Sequence, residues 1–176
     1  MTGALRSLFA LAWVASVAAL GCGYRSLAGG AGDVTVVLGQ SHVPDAAAAD
    51  EVVSGVRSRL ARDGVTAGDA SYPRVEVEVL RIDEVADGVA VVGALPRAEV
   101  VRVAVVARAY YVRAPGAHAE RDTGDVRVVV TARTAGTASQ ALFLHGTRVR
   151  AAARRAGEAL GARVLGHPMP SDDLEM

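Results

Sequence analysis

Three stretches of alternation, each built on valine, constrain this chain more than anything else in it. In Arg74–Val79 (RVEVEV), Val75, Val77 and Val79 fall on one side and Arg74, Glu76 and Glu78 on the other. A period of two sends alternate side chains to opposite faces of a strand, so this strand has one buried and one wet face. Glu99–Val112 is the longest candidate, with Val101, Val103, Val105, Ala107, Ala109 and Tyr111 on the core side. Arg102, Arg108 and Tyr110 belong to its opposite set. In Val126–Arg133 (VRVVVTAR), Val126, Val128 and Val130 are expected inward and Arg127, Thr131 and Arg133 outward. The last two strands, joined by the polar turn region 115–124, read as an antiparallel hairpin. A fourth, shorter strand is read over Asp33–Leu38. After Val79 the apolar pattern changes phase at Leu80 and Ile82, marking a bulge or the strand's end. Asp87-Gly88 and Gly93 to Pro96 are expected to break the region that follows.

Two segments carry the helical period instead. Pro44 and Asp45 open one in which Val52, Val53, Val56 and Leu60 recur at three- and four-residue spacing, with Arg57, Arg59 and Arg62 on the other side. Asp45, Asp50 and Glu51 suit its N-terminus, and Gly64 suits a left-handed cap after its last turn. The second is read from Thr147, as N-cap, to about Leu165. Its apolar line is Val149, Ala153, Ala156, Leu160 and Val164, and Arg148, Arg150, Arg154, Arg155 and Glu158 lie opposite. Gly166 and Pro168 stop it, and residues 134–146 are left unassigned. The order strand, helix, three strands, helix gives an α+β fold, a two-layer sandwich. It has a mostly antiparallel four-stranded sheet with two helices packed on one face.

Ahead of this domain, Arg6 precedes an apolar run from Leu8 to Leu20, which ends in Ala19-Leu20-Gly21-Cys22. At roughly 13 residues the run is short of the ~20 that cross a bilayer, and it has the anatomy of a secretory signal. The only cysteine sits directly after a small residue, so a lipoprotein signal is expected, with Cys22 acylated after cleavage before it. Ala19 stands where such signals usually carry leucine. Residues 1–21 are then the signal, 22–32 the lipidated cysteine and a glycine-rich tether, 33–167 the domain and 168–176 a disordered acidic tail. Gly23, in place of aspartate after the cysteine, points to the outer membrane on its periplasmic side. A single cysteine allows no internal disulfide.

The formal net charge is zero, which argues against a general nucleic-acid binder. Every basic residue is arginine, and lysine and asparagine are absent. A preference for GC-rich codons accounts for that without any guanidinium-specific role. His42, His118, His145 and His167 have no partner at metal-ligand spacing, and no nucleophile motif is present. The acid pairs are Asp83 with Glu84 and Glu76 with Glu78, the latter a wet strand face. No enzyme, metal or cofactor is expected. The surface with most chemical content is the outward set Arg102, Arg108, Arg127 and Arg133 on two adjacent strands. Guanidinium forks bind phosphate or carboxylate in pairs, and Glu76 and Glu78 across the sheet are the alternative partners to a ligand.

The start Cys22-Gly23-Tyr24-Arg25, and a helix from Val52 ending in Arg62-Asp63-Gly64, resemble the LptE family of lipopolysaccharide-assembly lipoproteins. The order of elements resembles that family over most of the domain, but the family's aromatic-and-asparagine turn is replaced here by Gln40-Ser41-His42-Val43-Pro44. The resemblance implies a non-catalytic partner of the LptD β-barrel that binds lipopolysaccharide through basic residues, for which Arg102, Arg108, Arg127 and Arg133 are the candidates. An outer-membrane lipoprotein that activates a periplasmic enzyme, such as a peptidoglycan synthase, is the alternative.

Overall fold

The computed structural model describes residues 33–65, 67–68, 71–92, 95–133 and 138–167. The signal, Cys22, the tether and the acidic tail lie outside the described residues. Seven elements follow one another: β1 (Thr35–Ser41), α1 (Ala46–Arg62), β2 (Arg74–Val92), β3 (Leu95–Val112), β4 (Arg121–Asp122), β5 (Val126–Arg133) and α2 (Ala138–Val164). The sheet runs β1-β2-β3-β5, with the short β4 beside Tyr110 and Tyr111 on the same side of β3 as β5. β1 and β2 are parallel, which requires a crossover, and α1 supplies it. All other pairings are antiparallel. The α+β two-layer architecture is therefore as expected, with β4 as an additional strand.

One hydrophobic core joins the valine faces to the helix stripes. Val75, Val77, Val79, Val103, Val105, Val126, Val52, Val56 and Leu160 are almost fully buried in it, and no buried side chain is polar or charged among the described residues. Asp45 caps α1, accepting from the Ala48 amide at 3.0 Å, and Gly64 follows the helix at φ +78°. Both features match the sequence reading.

Two expectations are corrected, and the choice left open at Leu80 is settled as a bulge. Asp87-Gly88 does not break the chain: β2 passes through it to Val92, and β3 starts at Leu95, so only residues 93–94 separate the strands. Continuous pairing with β3, as in Asp87 with Val100 and Val92 with Leu95, overrides the local turn propensity. Leu80 is where the register shifts, so the phase change marks a bulge and not an end. Thr147 is not an N-cap, because α2 begins nine residues earlier at Ala138 and extends 27 residues, about 40 Å. Hydroxyls and Gly146 weaken the helical pattern there, yet the helix runs through them.

Candidate functional site

Both helices cover one face of the sheet, and the other face is open. Alternation and register decide what the open face presents. On β3, Arg102, Ala104, Val106, Arg108 and Tyr110 share it; on β5, Arg127, Val129 and Thr131 do. Val106 stands opposite Arg81 on one side and Arg127 on the other. Val106 is only 4% exposed despite its place on the open face. Arginine stems lie along apolar surface while their charged heads stay wet, which fits these two flanking residues.

The four predicted arginines occupy different environments. Arg102 and Arg127 are exposed. Arg127 has no ion-pair or hydrogen-bond partner among the described residues. Arg133 pairs in register with Val100 at the end of β5, and its side chain lies outside the described residues. Arg108 is engaged: its Nε lies 3.2 Å from Asp125 Oδ1 and 3.5 Å from Glu78 Oε2. Neither contact has hydrogen-bond geometry, so this buried atom is ion-paired without a hydrogen bond. Its Nη1 donates to the Tyr110 hydroxyl at 3.3 Å, which in turn donates to Glu78 Oε2 at 3.3 Å. The Tyr110 hydrogen bond, helped by the charges of Asp125 and Glu78, raises the Arg108 pKa above the usual arginine value.

Sequence spacing did not reveal the histidine partners. His42 Nε2 lies 3.0 Å from Glu78 Oε1, so Glu78 joins β1's end, β2 and β3 in one polar cluster. His145 Nδ1 lies 3.1 Å from Glu84 Oε2 and ties α2 to β2. These pairs are 36 and 61 residues apart in sequence, beyond the reach of any local motif. Glu76 is taken by Arg74, whose Nε donates at 2.7 Å. Among the described residues no group of three or more His, Cys, Asp or Glu could hold a metal ion. What the open face can do chemically is recognise an anion with a guanidinium fork or meet another surface; it carries no nucleophile–base pair among the described residues.

No protein-family model matches this chain, and no curated protein is similar to it in sequence. Solved structures are similar in fold. A lipoprotein from Caulobacter crescentus CB15 is 12% identical, covers 76% of this chain and 88% of its own, and gives a TM-score of 0.47. A minor lipoprotein from Acinetobacter baumannii is 10% identical over 76% of this chain and 92% of its own, with a TM-score of 0.48. Rare lipoprotein B from Shewanella oneidensis is 12% identical over 76% and 94%, with a TM-score of 0.46.

Proposed function

We propose that this chain is a non-catalytic lipoprotein, anchored through Cys22 to the periplasmic side of the outer membrane. In this reading it partners an LptD-type β-barrel in the assembly of lipopolysaccharide. The observation that carries the reading is the Ala19-Leu20-Gly21-Cys22 signal end, followed by the Tyr24-Arg25 start that resembles the LptE family. The open sheet face supports it: a domain with both helices on one side leaves a second side for a ligand or partner. Lipopolysaccharide carries phosphates, and an arginine fork meets a phosphate with two parallel hydrogen bonds. Arg127 is the first candidate for that contact, with the exposed Arg102 on the same face and Arg133 beyond them at the strand's end. Arg108 has Glu78 and Asp125 beside it already, so in this reading it shapes the face more than it grips a ligand.

The test is a mild-detergent pull-down of the tagged, lipidated protein from envelopes, with the partners identified by mass spectrometry. Stoichiometric recovery of an LptD-type barrel is the expected result. Recovery of a cell-wall synthase alone, or of no barrel, overturns the reading.

A further inference from the structure

The sheet ends in edges that are treated differently. A strand edge offers unpaired N–H and C=O groups, and folds usually blunt it with charge, cover or shortness. β1 is guarded. Gly68 N donates to Val34 O at 3.3 Å, and Ala67 bridges Val34, so the chain after α1 straps the start of its edge. Next along, Arg57 Nη2 donates to Val36 O at 2.8 Å and occupies that carbonyl. β5 is short and carries Arg127, Thr131 and Arg133.

Among the described residues no such guard is seen along β2. β1 stops at Ser41, which pairs with Val79, and among the described residues no strand lies outside β2 from Arg81 to Val92. From Val89 to Ala98 the β2–β3 ribbon has also passed the end of β5, whose last partner is Val100, and both its edges are free of any described strand. The sequence there is GVAVV in residues 88–92 and LPRA in 95–98, with Arg97 the one charge. Val85, at its base, is 57% exposed, the largest exposure of any bulky apolar side chain described. A two-stranded ribbon alone is marginally stable in water.

We infer that the outer edge of β2, Arg81 to Val92, is a strand-addition site for an extended segment of a partner protein that is apolar and basic. Charge decides among the occupants. The free stretch carries Asp83, Glu84 and Asp87 against Arg81, so it is acidic at its base and uncharged towards its tip. Asp83 is ion-paired with Arg81 at 3.2 Å and Glu84 contacts His145 at 3.1 Å, yet both carboxylates stay more than two-fifths exposed. A second copy pairing antiparallel over this stretch would set each acidic base beside the other's uncharged tip, where its acids meet no cation. An anionic lipid surface is repelled by the same acids, and hydrocarbon cannot satisfy open backbone groups. A segment with basic residues meets the acids and supplies the missing ladder, the mode in which an extended peptide extends a sheet. The inference rests on the proposed function only for the partner's identity. A closed barrel wall has no edge to give, so a barrel partner would contribute a segment outside that wall.

The experiment uses the full-length, membrane-anchored chain with a photo-crosslinking residue in place of Val85, and in a second variant in place of the exposed Arg155 on α2. The complex is then purified, the crosslinked peptide mapped, and amide hydrogen exchange compared with that of the free chain. The inference expects crosslinks from position 85 and not 155 into one apolar, basic partner segment. Amides in 81–92 should slow by about tenfold or more as they gain hydrogen bonds. Asp83→Lys, with an unchanged melting temperature, should lower the crosslink yield severalfold. Crosslinks only to lipid or to a second copy, or unchanged exchange in 81–92, overturn it. Recovery of a barrel with unchanged exchange defeats the strand-addition site and leaves the proposed function standing. Protection by a protein that is not a barrel does the reverse.

Discussion

Gly55 of α1 and Gly157 of α2 meet backbone against backbone. A Cβ on Gly55 would lie 3.0 Å from the Gly157 Cα and would overlap the Arg154 carbonyl oxygen; one on Gly157 would overlap the Val52 carbonyl oxygen. One turn on, a Cβ on Gly161 would come within 2.8 Å of Arg59 Cβ. The helices are this close because no side chain separates them.

Gly157→Ala should therefore destabilise the domain by about 1–3 kcal/mol, the usual cost of overpacking, because the obstructing atoms are backbone and cannot rotate away. Gly146 lies in the same helix, and a methyl group added to it would meet nothing within 4 Å, so Gly146→Ala should stabilise by roughly 0.5–1 kcal/mol. Urea melts of the two variants should shift in opposite directions; equal shifts would show that the seam is looser than described.

Arg57→Ala removes the guard on the Val36 carbonyl. A charge-assisted hydrogen bond contributes about 1.5–3 kcal/mol, and a partly buried one towards the low end. The more telling effect is on association, since Leu38, two residues along that edge, is 40% exposed. Sedimentation should find a concentration-dependent dimer or larger species in the variant; a strictly monomeric variant would show that the strap at Ala67–Gly68 suffices alone.

Glu78 accepts from Tyr110, lies 3.0 Å from His42 and is ion-paired with Arg108, and its side chain is 18% exposed. Glu78→Ala should cost about 1–3 kcal/mol, because three polar partners lose the carboxylate at once. Glu78→Gln keeps an oxygen in place and should cost less. Arg108 adds no pH dependence near neutrality: its pKa is raised by the Tyr110 hydrogen bond, so whatever it contributes is lost only as pH climbs above the ordinary arginine range. Chemical denaturation ranks the two variants, and an equal loss would show that the charge, and not the acceptor oxygen, carries the contribution.

Arg127→Gln and Arg102→Gln, singly and together, should weaken binding of lipopolysaccharide micelles while leaving the thermal midpoint within a degree or two, as surface changes of about 0.5 kcal/mol do. Arg108→Gln should lower the midpoint as well, through the loss of its Glu78 and Asp125 contacts. Unchanged micelle binding in the double variant would take the ligand away from this face.

The strands and their buried faces were readable because valine alternation is a local signal. Every inward residue named on β3 and the buried line of α2 can be read from spacing alone. The start of α2 was not, since Thr147 imitates a cap and the pattern before it is diluted by glycine and hydroxyls. Asp87-Gly88 misled for a related reason: turn propensity is local, and the pairing that overrules it comes from Val100 in another strand. For the arginine face, spacing placed Arg102, Arg108 and Arg127 on the correct side of the sheet. It could not tell that Arg108 is held by Glu78 and Asp125, because those contacts cross strands and a loop.

The position of β1 at the edge of the sheet has a mechanical side. A chain held at Cys22, as proposed, would deliver any pull into the fold at Asp33, directly ahead of β1, and not into the central strands. What resists is the parallel ladder from Thr35 to Ser41, the hydrogen bond from Thr35 Oγ1 to Gly68 O at 2.8 Å, and the grip of Arg57 on Val36. The same few bonds that keep this edge from pairing with a stranger also form the clasp by which the domain would hang from its membrane.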